Sequence, residues 1–246
     1  MRQWTRMVVA ALALAGLAAG AAGQATAPGV DDLLAKYFAA RGGLEKLKGM
    51  TTMRMTGRVE AGGQQMEMVI VSKRPNLMRQ EMSVMGQKIV TAFDGTRVWA
   101  INPMTGSSTP QVMPGPQAQT MKEQADFDGP LVDYRAKGNK IERVGTDKVD
   151  GRETVKLKVT VKGGGVVTLD IDAETFLEVR LTREVDVSGT STRIETLMSD
   201  FRDVSGLMMP HTVRTLLNGQ QQAQMTISRI EVNPAVDDTL FAMPPR

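Results

Sequence analysis

His211 is the only histidine of this 246-residue chain and the side chain best suited to general acid–base chemistry. A nucleophile to pair with it is hard to find, because the sequence has no cysteine and no Gly-x-Ser-x-Gly motif. A catalytic triad would have to be assembled from scattered serines and aspartates. His211 also follows Pro210 directly at a predicted strand start, which favours a structural or an exposed histidine, so we do not expect an enzyme.

Two other groups could bind an ion or a phosphate. Asp170, Asp172 and Glu174 alternate like the ligands of a calcium loop, but they lack its glycine and its closing glutamate. The three glycines at 163–165 open no predicted helix and follow no phosphate-loop spacing. We therefore expect neither a metal ion nor a cofactor, and we interpret the acidic residues as a strand edge and a turn.

Charge argues against a nucleic-acid partner. The chain has 30 basic and 27 acidic residues, and Arg2 and Arg6 fall in a segment that we expect to be removed. The remaining lysines and arginines are scattered beside acidic residues, so no basic stripe is left to follow a phosphate backbone.

The N-terminus has the pattern of a cleavable export signal. Two arginines accompany an unbroken apolar run at 7–17, and small residues follow as far as 23. The run is shorter than the roughly 20 residues that span a bilayer, which makes a membrane anchor the less favoured alternative. We expect a signal peptide at 1–23, a mature domain at 24–246 and a periplasmic location.

Two helical segments are predicted to precede a sheet. Asp31 can cap a helix that ends at Gly42-Gly43, and a brief second turn follows over 44–48. The apolar positions of the first helix recur at helical spacing: Leu33, Leu34, Tyr37 and Phe38.

From residue 52 onward the apolar pattern has a period of two, which is typical of strands. Roughly ten to twelve strands fit between the turn signals. The clearest hairpins turn at Asp150-Gly151 and Asn218-Gly219. Sequential strands with short turns predict a mainly β (α+β) domain: an antiparallel meander forming one large curved sheet, an unclosed half-barrel.

One region interrupts the predicted meander. Four prolines and two glycines between 102 and 119 predict a long loop. A helical patch follows over 117–137, with a break at Gly129-Pro130. A helix inserted into a sheet meander has to lie against a sheet face. We therefore expect this helix and the N-terminal one to cover the concave side, the inserted one as a lid.

Methionine is unusually frequent, with 18 residues against 2 Trp, 2 Tyr and 6 Phe. Its unbranched, polarizable side chain suits a surface that accepts ligands of varied shape, although methionine can also simply fill a core. Because several alternate along strands, we expect them to line one face of a lipid or acyl-chain cavity. The predicted lining residues are Met53, Met55, Met66, Met68, Ile70, Met78, Met82, Val84, Trp99 and Leu131.

Three short motifs occur in sequence near the methionines. Lys73-Arg74-Pro75-Asn76-Leu77 opens one strand, Asp94-Gly95-x-x-x-Trp99 leads into another, and Asn102-Pro103 ends it. Together they resemble the LolA/LolB family of periplasmic lipoprotein carriers. The segment Gly-Gly-Leu-Glu-Lys-Leu-Lys at 42–48 is similar to the way many LolA-like domains open.

The resemblance implies roles for two residues. In the family pattern the arginine of the first motif, here Arg74, hydrogen-bonds the lid helix in the closed state and gates cargo release; the alternative is a solvated arginine at a strand end. Trp99 matches a position that contacts cargo or, equally well, anchors its strand in the core.

The resemblance also implies a function. We expect a monomeric periplasmic carrier that reversibly binds the acyl chains of lipoproteins or other lipids and delivers them toward the outer membrane. Its partners would be an inner-membrane donor protein and an outer-membrane acceptor protein. The alternative is a lipid-sensing or scaffold protein of the envelope, since LolA-like domains also occur in periplasmic regulators.

Overall fold

The computed structural model describes residues 29–187 and 190–245, so the predicted signal peptide lies outside the described residues. Three α-helices are present in that part of the chain: α1 (Val30–Ala40), α2 (Leu44–Gly49) and α3 (Gly115–Gln124). The strands of the same part are β1 (Thr52–Ala61), β2 (Gln64–Lys73), β3 (Leu77–Val84), β4 (Gln87–Phe93), β5 (Val98–Asn102), β6 (Ser107–Val112), β7 (Lys140–Val149), β8 (Arg152–Thr160), β9 (Val166–Asp172), β10 (Glu178–Val187), β11 (Thr190–Val204), β12 (Leu207–Leu217) and β13 (Gln220–Val232).

All thirteen described strands join one antiparallel sheet in the order β6-β5-β4-β3-β2-β1-β13-β12-β11-β10-β9-β8-β7. The chain builds outward from β1 to the β6 edge, crosses to the opposite edge at β7, and returns until β13 pairs with β1. The sheet therefore consists of two meanders that meet at the β1–β13 pair, whereas the sequence predicted a single meander. Within the described chain β6 and β7 do not pair with each other, so the sheet is an unclosed half-barrel, as predicted.

The helices pack on one face of the sheet, which we call the inner face. Leu33, Leu34 and Tyr37 of α1 are buried against β8 and β9, and each leucine buried in this way contributes about 1.5–3 kcal/mol. Helix α1 stops before Gly42, whose φ of +105° favours glycine. A Cβ at Gly42 would also lie 2.1 Å from the carbonyl oxygen of Gly206, so the position cannot take a side chain.

The inserted region differs from its prediction in two respects. The predicted loop at 102–119 instead contains a 3-10 turn and β6, an edge strand that tolerates Pro110 because one side of an edge strand needs no partner. The helix predicted over 117–137 is observed over Gly115–Gln124. Farther along the predicted range, Gly129 and Asp133 adopt positive φ angles, which a helix cannot accommodate, so no helix continues through them. Residues 126–138, here called the crossover segment, continue as turns to the β7 edge. None of the described helices is long and apolar enough to cross a bilayer.

The other, outer face is partly covered by the C-terminal tail, residues 233–245. The tail is fastened along β1 and β2: the Thr52 hydroxyl donates to the Pro234 carbonyl at 2.7 Å, and the Lys73 ammonium donates to the Val236 carbonyl at 2.9 Å. Phe241 of the tail is completely buried. The tail thus gives the N-terminal half of the sheet a second packed side.

Candidate functional site

Methionines of β1 to β3 come together on the inner face. Met53 and Met78 lie opposite Ser72 from its two neighbouring strands, and Met68 lies opposite Met82. Because side chains alternate along a strand, the other lining residues predicted on these strands share that face. The full set is Met53, Met55, Met66, Met68, Ile70, Met78, Met82 and Val84.

Helix α3 covers one end of this methionine face. Ala118 and Met121 on one side of the helix, and Ala125 just after its end, are buried against the sheet. The sheet residues that it covers are Ile70, Met78, Phe93 and Val98. Farther along the same strands, Met66, Met82 and Val84 stay only partly buried. An apolar strip therefore continues beyond the helix and remains accessible to a ligand.

A second apolar region lies between α1, α2 and the crossover segment, where a groove of about 670 Å³ opens. Leu34, Phe38, Leu131 and Tyr134 form much of its wall. Its volume falls in the range of roughly 300–1,000 Å³ that is usual for small-ligand pockets. Leu131, predicted as a lining residue, lines this groove and packs with α1 instead of lying beside the methionines.

Arg74 joins the sheet to two elements that lie over its inner face, α2 and the crossover segment; together with α3 these are called the cover. Its guanidinium donates from Nε to the carbonyl of Met50 at 2.9 Å and from Nη2 to the carbonyl of Leu47 at 3.3 Å, both at the end of α2. It also pairs with Asp128 and lies 4.9 Å from the ring centre of Phe127, both in the crossover segment. Arg74 therefore ties β2 to α2 and to the segment that follows α3.

Further ion pairs hold the crossover segment against the N-terminal helices. Asp133 accepts a hydrogen bond from Lys48 of α2 at 2.8 Å, and Arg135 donates to Asp31 of α1 at 2.8 Å. These charges are largely exposed, and exposed pairs typically contribute only about 0–1 kcal/mol each. Several weak polar contacts thus hold the crossover segment to the N-terminal helices. The contact of Arg74 with Asp128 is the most buried of them.

Trp99 does not lie on the methionine face. Its β4 partner is Ala92, and both residues pack with Val90 and Met243 on the outer face, beneath the C-terminal tail. Its neighbour Val98 is the residue that faces α3. The expectation that Trp99 lines the cavity is therefore corrected, because residues 98 and 99 project to opposite faces of the strand. The alternative, a core tryptophan that anchors its strand, describes its position.

A polar cluster lies beneath the end of α1, where an apolar face was expected. Arg41 donates from Nη1 to the Tyr37 hydroxyl at 3.0 Å, and burial raises the pKa of Tyr37 to about 12. Burial likewise raises the pKa of Glu178, at the start of β10, to about 7, against the opposing influence of Arg41. Glu178 is thus an acid whose charge changes near neutral pH at the helix–sheet contact.

The residues first considered for chemistry, His211 and the acidic residues near 172, make contacts within the fold. His211 is buried, with its Nδ1 at 3.0 Å from the carbonyl of Met209. Asp172 accepts hydrogen bonds from the backbone N–H groups of Glu174 and Thr175 at 2.9 and 2.8 Å, as a turn-capping carboxylate does. Among the described residues no group of three or more His, Asp or Glu is arranged to hold a metal ion.

Sequence reasoning missed Glu178, Arg41 and the acidic residues of the crossover segment. Several of these residues contact partners more than 80 positions away, as Asp133 contacts Lys48. Local spacing in the sequence therefore cannot indicate such contacts. A weak signal existed at Asp126, Asp128 and Asp133, since three carboxylates around Gly129-Pro130 are unusual for the buried helix that was predicted there.

No family model and no curated protein matches the sequence. Solved structures do match: a LolA superfamily protein from Nitrosomonas europaea is 15% identical with a TM-score of 0.58, over 88% of this chain and 98% of that one. A domain from Vibrio parahaemolyticus named for outer membrane lipoprotein sorting is 10% identical with a TM-score of 0.57, over 85% and 94%. A DUF1329 family protein from Desulfovibrio piger is 14% identical with a TM-score of 0.57, over 85% and 97%. At these identities the likeness concerns architecture, and this chain has a LolA-like fold.

Proposed function

We propose that this protein is an exported, non-enzymatic carrier that binds the acyl chains of a lipoprotein or another lipid against its inner face and delivers them toward the outer membrane. The observation that carries the proposal is the apolar inner face, whose partly exposed methionine strip runs out from beneath a cover held by polar contacts. The name of the Vibrio parahaemolyticus domain, which concerns lipoprotein sorting, agrees with this assignment.

The energetics favour reversible burial. Each buried methylene contributes about 0.8 kcal/mol, so one sixteen-carbon chain gains on the order of 10 kcal/mol in gross terms. Cargo held so strongly leaves only if something offsets the gain. Closing α3 and the crossover segment over the inner face re-forms the Arg74 contacts, and this supplies part of that offset.

The test is a paired measurement on delipidated protein. Uptake of a fluorescent fatty acid measures binding, and transfer to acceptor vesicles or an acceptor protein measures delivery. A carrier does both. Uptake without transfer would favour the alternative, a lipid sensor or scaffold of the envelope, and absence of uptake would overturn both functions.

Native mass spectrometry of the protein isolated from its own periplasm would identify the natural ligand. An acylated peptide or protein would indicate lipoprotein cargo, and a free lipid would indicate a lipid carrier. If the isolated protein carried no amphiphile but still took up added fatty acid, binding would be supported, and the idea of an abundant natural cargo would be contradicted.

A further inference from the structure

Arg183 is a cation on the apolar inner face of the sheet. It follows Leu181 by two positions on β10, and Leu181 packs with the cluster that α1 covers, so both side chains project inward. The residues directly opposite Arg183 are apolar: Val167 of β9 and Ile194 of β11. From these two opposite positions of the described sheet, no carboxylate faces Arg183.

The acidic partner of Arg183 comes from helix α3. Oε2 of Glu123 lies 3.5 Å from Nη1 of Arg183, longer than the roughly 2.7–2.9 Å of a well-formed charged hydrogen bond. Within the described part of the chain Nη1 has no hydrogen-bond partner. The Arg183 side chain is only 16% exposed, whereas that of Glu123 is 42% exposed. A largely buried guanidinium is thus matched with a loosely held carboxylate, although a buried charge needs good hydrogen bonds.

Arg183 lines a cavity of about 320 Å³ between α3, the crossover segment and strands β8 to β10. This volume lies at the lower end of the range for small-ligand pockets, so the cavity suits one end of an amphiphile. Much of its wall is apolar and is formed by Pro130, Val161, Val167, Leu181 and Val185.

Two other carboxylates border the cavity, and both have partners of their own. Lys137 donates to both carboxylate oxygens of Asp126, at 2.8 and 2.7 Å. Glu184 is adjacent to Arg183 on β10 and therefore projects to the outer face, where it accepts a hydrogen bond from the Ser191 hydroxyl at 2.8 Å. Neither carboxylate competes with Glu123 for Arg183.

A second cation borders the cavity. Lys162 is exposed in the turn after β8 and forms no ion pair with a carboxylate of the described residues. Setting aside the paired charges, the cavity has two cations, Arg183 and Lys162, against the single carboxylate of Glu123. It can therefore accept one further negative charge.

An apolar path leads from Arg183 across the inner face to the methionines. Ile194 lies opposite Arg183, and Leu217 of β12 lies opposite Ile194. Val213 shares the face of Leu217 and lies opposite Met225 of β13, which packs against the cluster beneath α3. These side chains are partly buried. The path crosses from β10 to β1, four strand spacings or roughly 19 Å along the sheet, a length comparable to that of a long acyl chain.

We propose that this cavity binds the oxyanion at the end of an acylated ligand: the ligand's carboxylate or phosphate takes the place of Glu123 beside Arg183, and its chain follows the apolar path to the methionine face. The partly exposed Glu123 side chain moves away by a change of rotamer, a motion of picoseconds to nanoseconds, and this uncovers Nη1. The site rests on the proposed carrier function and narrows its cargo to acyl chains that end in an anion.

The test compares ligands that share one chain and differ in the head group. Palmitate, palmitoyl lysophosphatidate and hexadecanol each displace a neutral apolar fluorophore from delipidated protein, above neutral pH. We expect at least one anion to bind roughly tenfold or more tightly than hexadecanol, because a hydrogen bond to a charged group is strong. Arg183→Met should bring the anions to the affinity of hexadecanol. Arg58→Met, the same change at an exposed arginine of β1, is the matched control and should keep the preference.

Glu123→Gln tests the exchange without altering Arg183. The amide removes the competing charge and keeps the shape of the side chain, so the anions should bind at least threefold more tightly relative to hexadecanol. Unchanged or weaker binding of the anions would count against the exchange.

The two anions assign the source of the oxyanion. A preference for palmitate alone identifies a free fatty acid, and a preference that includes lysophosphatidate identifies a phospholipid head group. If hexadecanol binds as tightly as the anions, or if the preference survives Arg183→Met, this site is overturned while the carrier function stands. If none of the three ligands displaces the fluorophore, the carrier function fails together with the site.

Discussion

The indole N–H of Trp99 donates a hydrogen bond to the backbone carbonyl of Phe241 at 2.9 Å, and both residues are completely buried. Residues separated by 142 positions are thereby joined across the outer face of the sheet. Arg79 adds a second contact, donating to the Leu240 carbonyl at 3.1 Å while its guanidinium lies 5.6 Å from the Trp99 ring centre. The C-terminal tail is therefore part of the folded core.

Trp99→Phe should destabilise the protein without affecting ligand uptake. The substitution leaves the buried Phe241 carbonyl without its donor, which costs roughly 1–3 kcal/mol. Urea unfolding measures the loss, and fatty-acid uptake measured below the transition should equal that of the wild type. Impaired uptake by a folded variant would contradict the outer-face position of Trp99.

Arg74→Leu should take up an apolar probe normally or better and fail to transfer it. Removing the guanidinium abolishes the contacts with Met50, Leu47 and Asp128, and a hydrogen bond to a charged group is worth roughly 1.5–3 kcal/mol. Transfer to acceptor vesicles should fall about tenfold or more. Arg74→Lys should be only partly competent, because an ammonium lacks the planar fork.

The control for this variant is Arg97→Leu, which changes an exposed arginine in the turn before β5 and should transfer normally. Unchanged transfer by Arg74→Leu would show that Arg74 serves only to fasten the fold, and would remove it from the proposed mechanism.

A carboxylate placed on the methionine face should reduce uptake. Met82→Glu introduces a charge on the partly buried apolar strip, where an acyl chain would have to desolvate it, so affinity should fall at least tenfold. Met85→Glu is the matched control, since Met85 is 82% exposed in the following turn and should leave affinity unchanged. Equal affinities of the two variants would argue against binding at this face.

Glu178 should make the protein less stable as pH rises toward neutrality. Its pKa is raised from 4.5 to about 7, so between these values the folded protein keeps a proton that the unfolded chain has lost. The stabilisation is complete below pH 4.5 and is lost as pH rises through about 7, with a slope of at most about 1.4 kcal/mol per pH unit.

Glu178→Gln, which resembles the protonated side chain, should remove that part of the slope. Urea unfolding of both proteins at pH 5, 6, 7 and 8 measures the difference in the free energy of unfolding. A difference that does not change with pH would show that Glu178 is ionised throughout this range.

His211→Ala should retain ligand uptake. The imidazole is buried and contacts the Met209 carbonyl, so its removal is expected to lower stability by roughly 1–3 kcal/mol through a lost hydrogen bond and a small cavity. Uptake abolished in a variant that remains folded by circular dichroism would instead favour an enzyme.

The sheet and its hairpins were predictable because their signals are local. Alternation gives the face of each strand, and Asp150-Gly151 and Asn218-Gly219 mark two-residue turns that remain turns in the structure. The pairing of β1 with β13 was not predictable in this way, because the two strands are about 170 residues apart and no turn between them indicates that they pair. The number of strands was underestimated because β6 contains Pro110 and reads as a loop.

Site residues followed the same division. The methionines of β1 to β3 share a face because side chains two positions apart on a strand project to the same side. Trp99 was placed on the wrong face because a short motif does not say which side of the strand each of its residues faces. Spacing likewise says nothing about Glu178 and Arg41, whose proximity depends on where α1 docks. A sequence pattern thus predicts which residues project together from one element, and leaves open which elements meet.

The unpaired edges of the sheet affect how wide the inner space can become. A closed barrel has a radius that is set by its strand number and shear, and widening it would break a ladder of hydrogen bonds. Here the described β6 and β7 are joined only through the chain that crosses between them, α3 and residues 126–138. Moving the two edges apart would change the twist of a continuous sheet without breaking a strand pairing of the described chain, so strand pairing does not fix the width of the inner space.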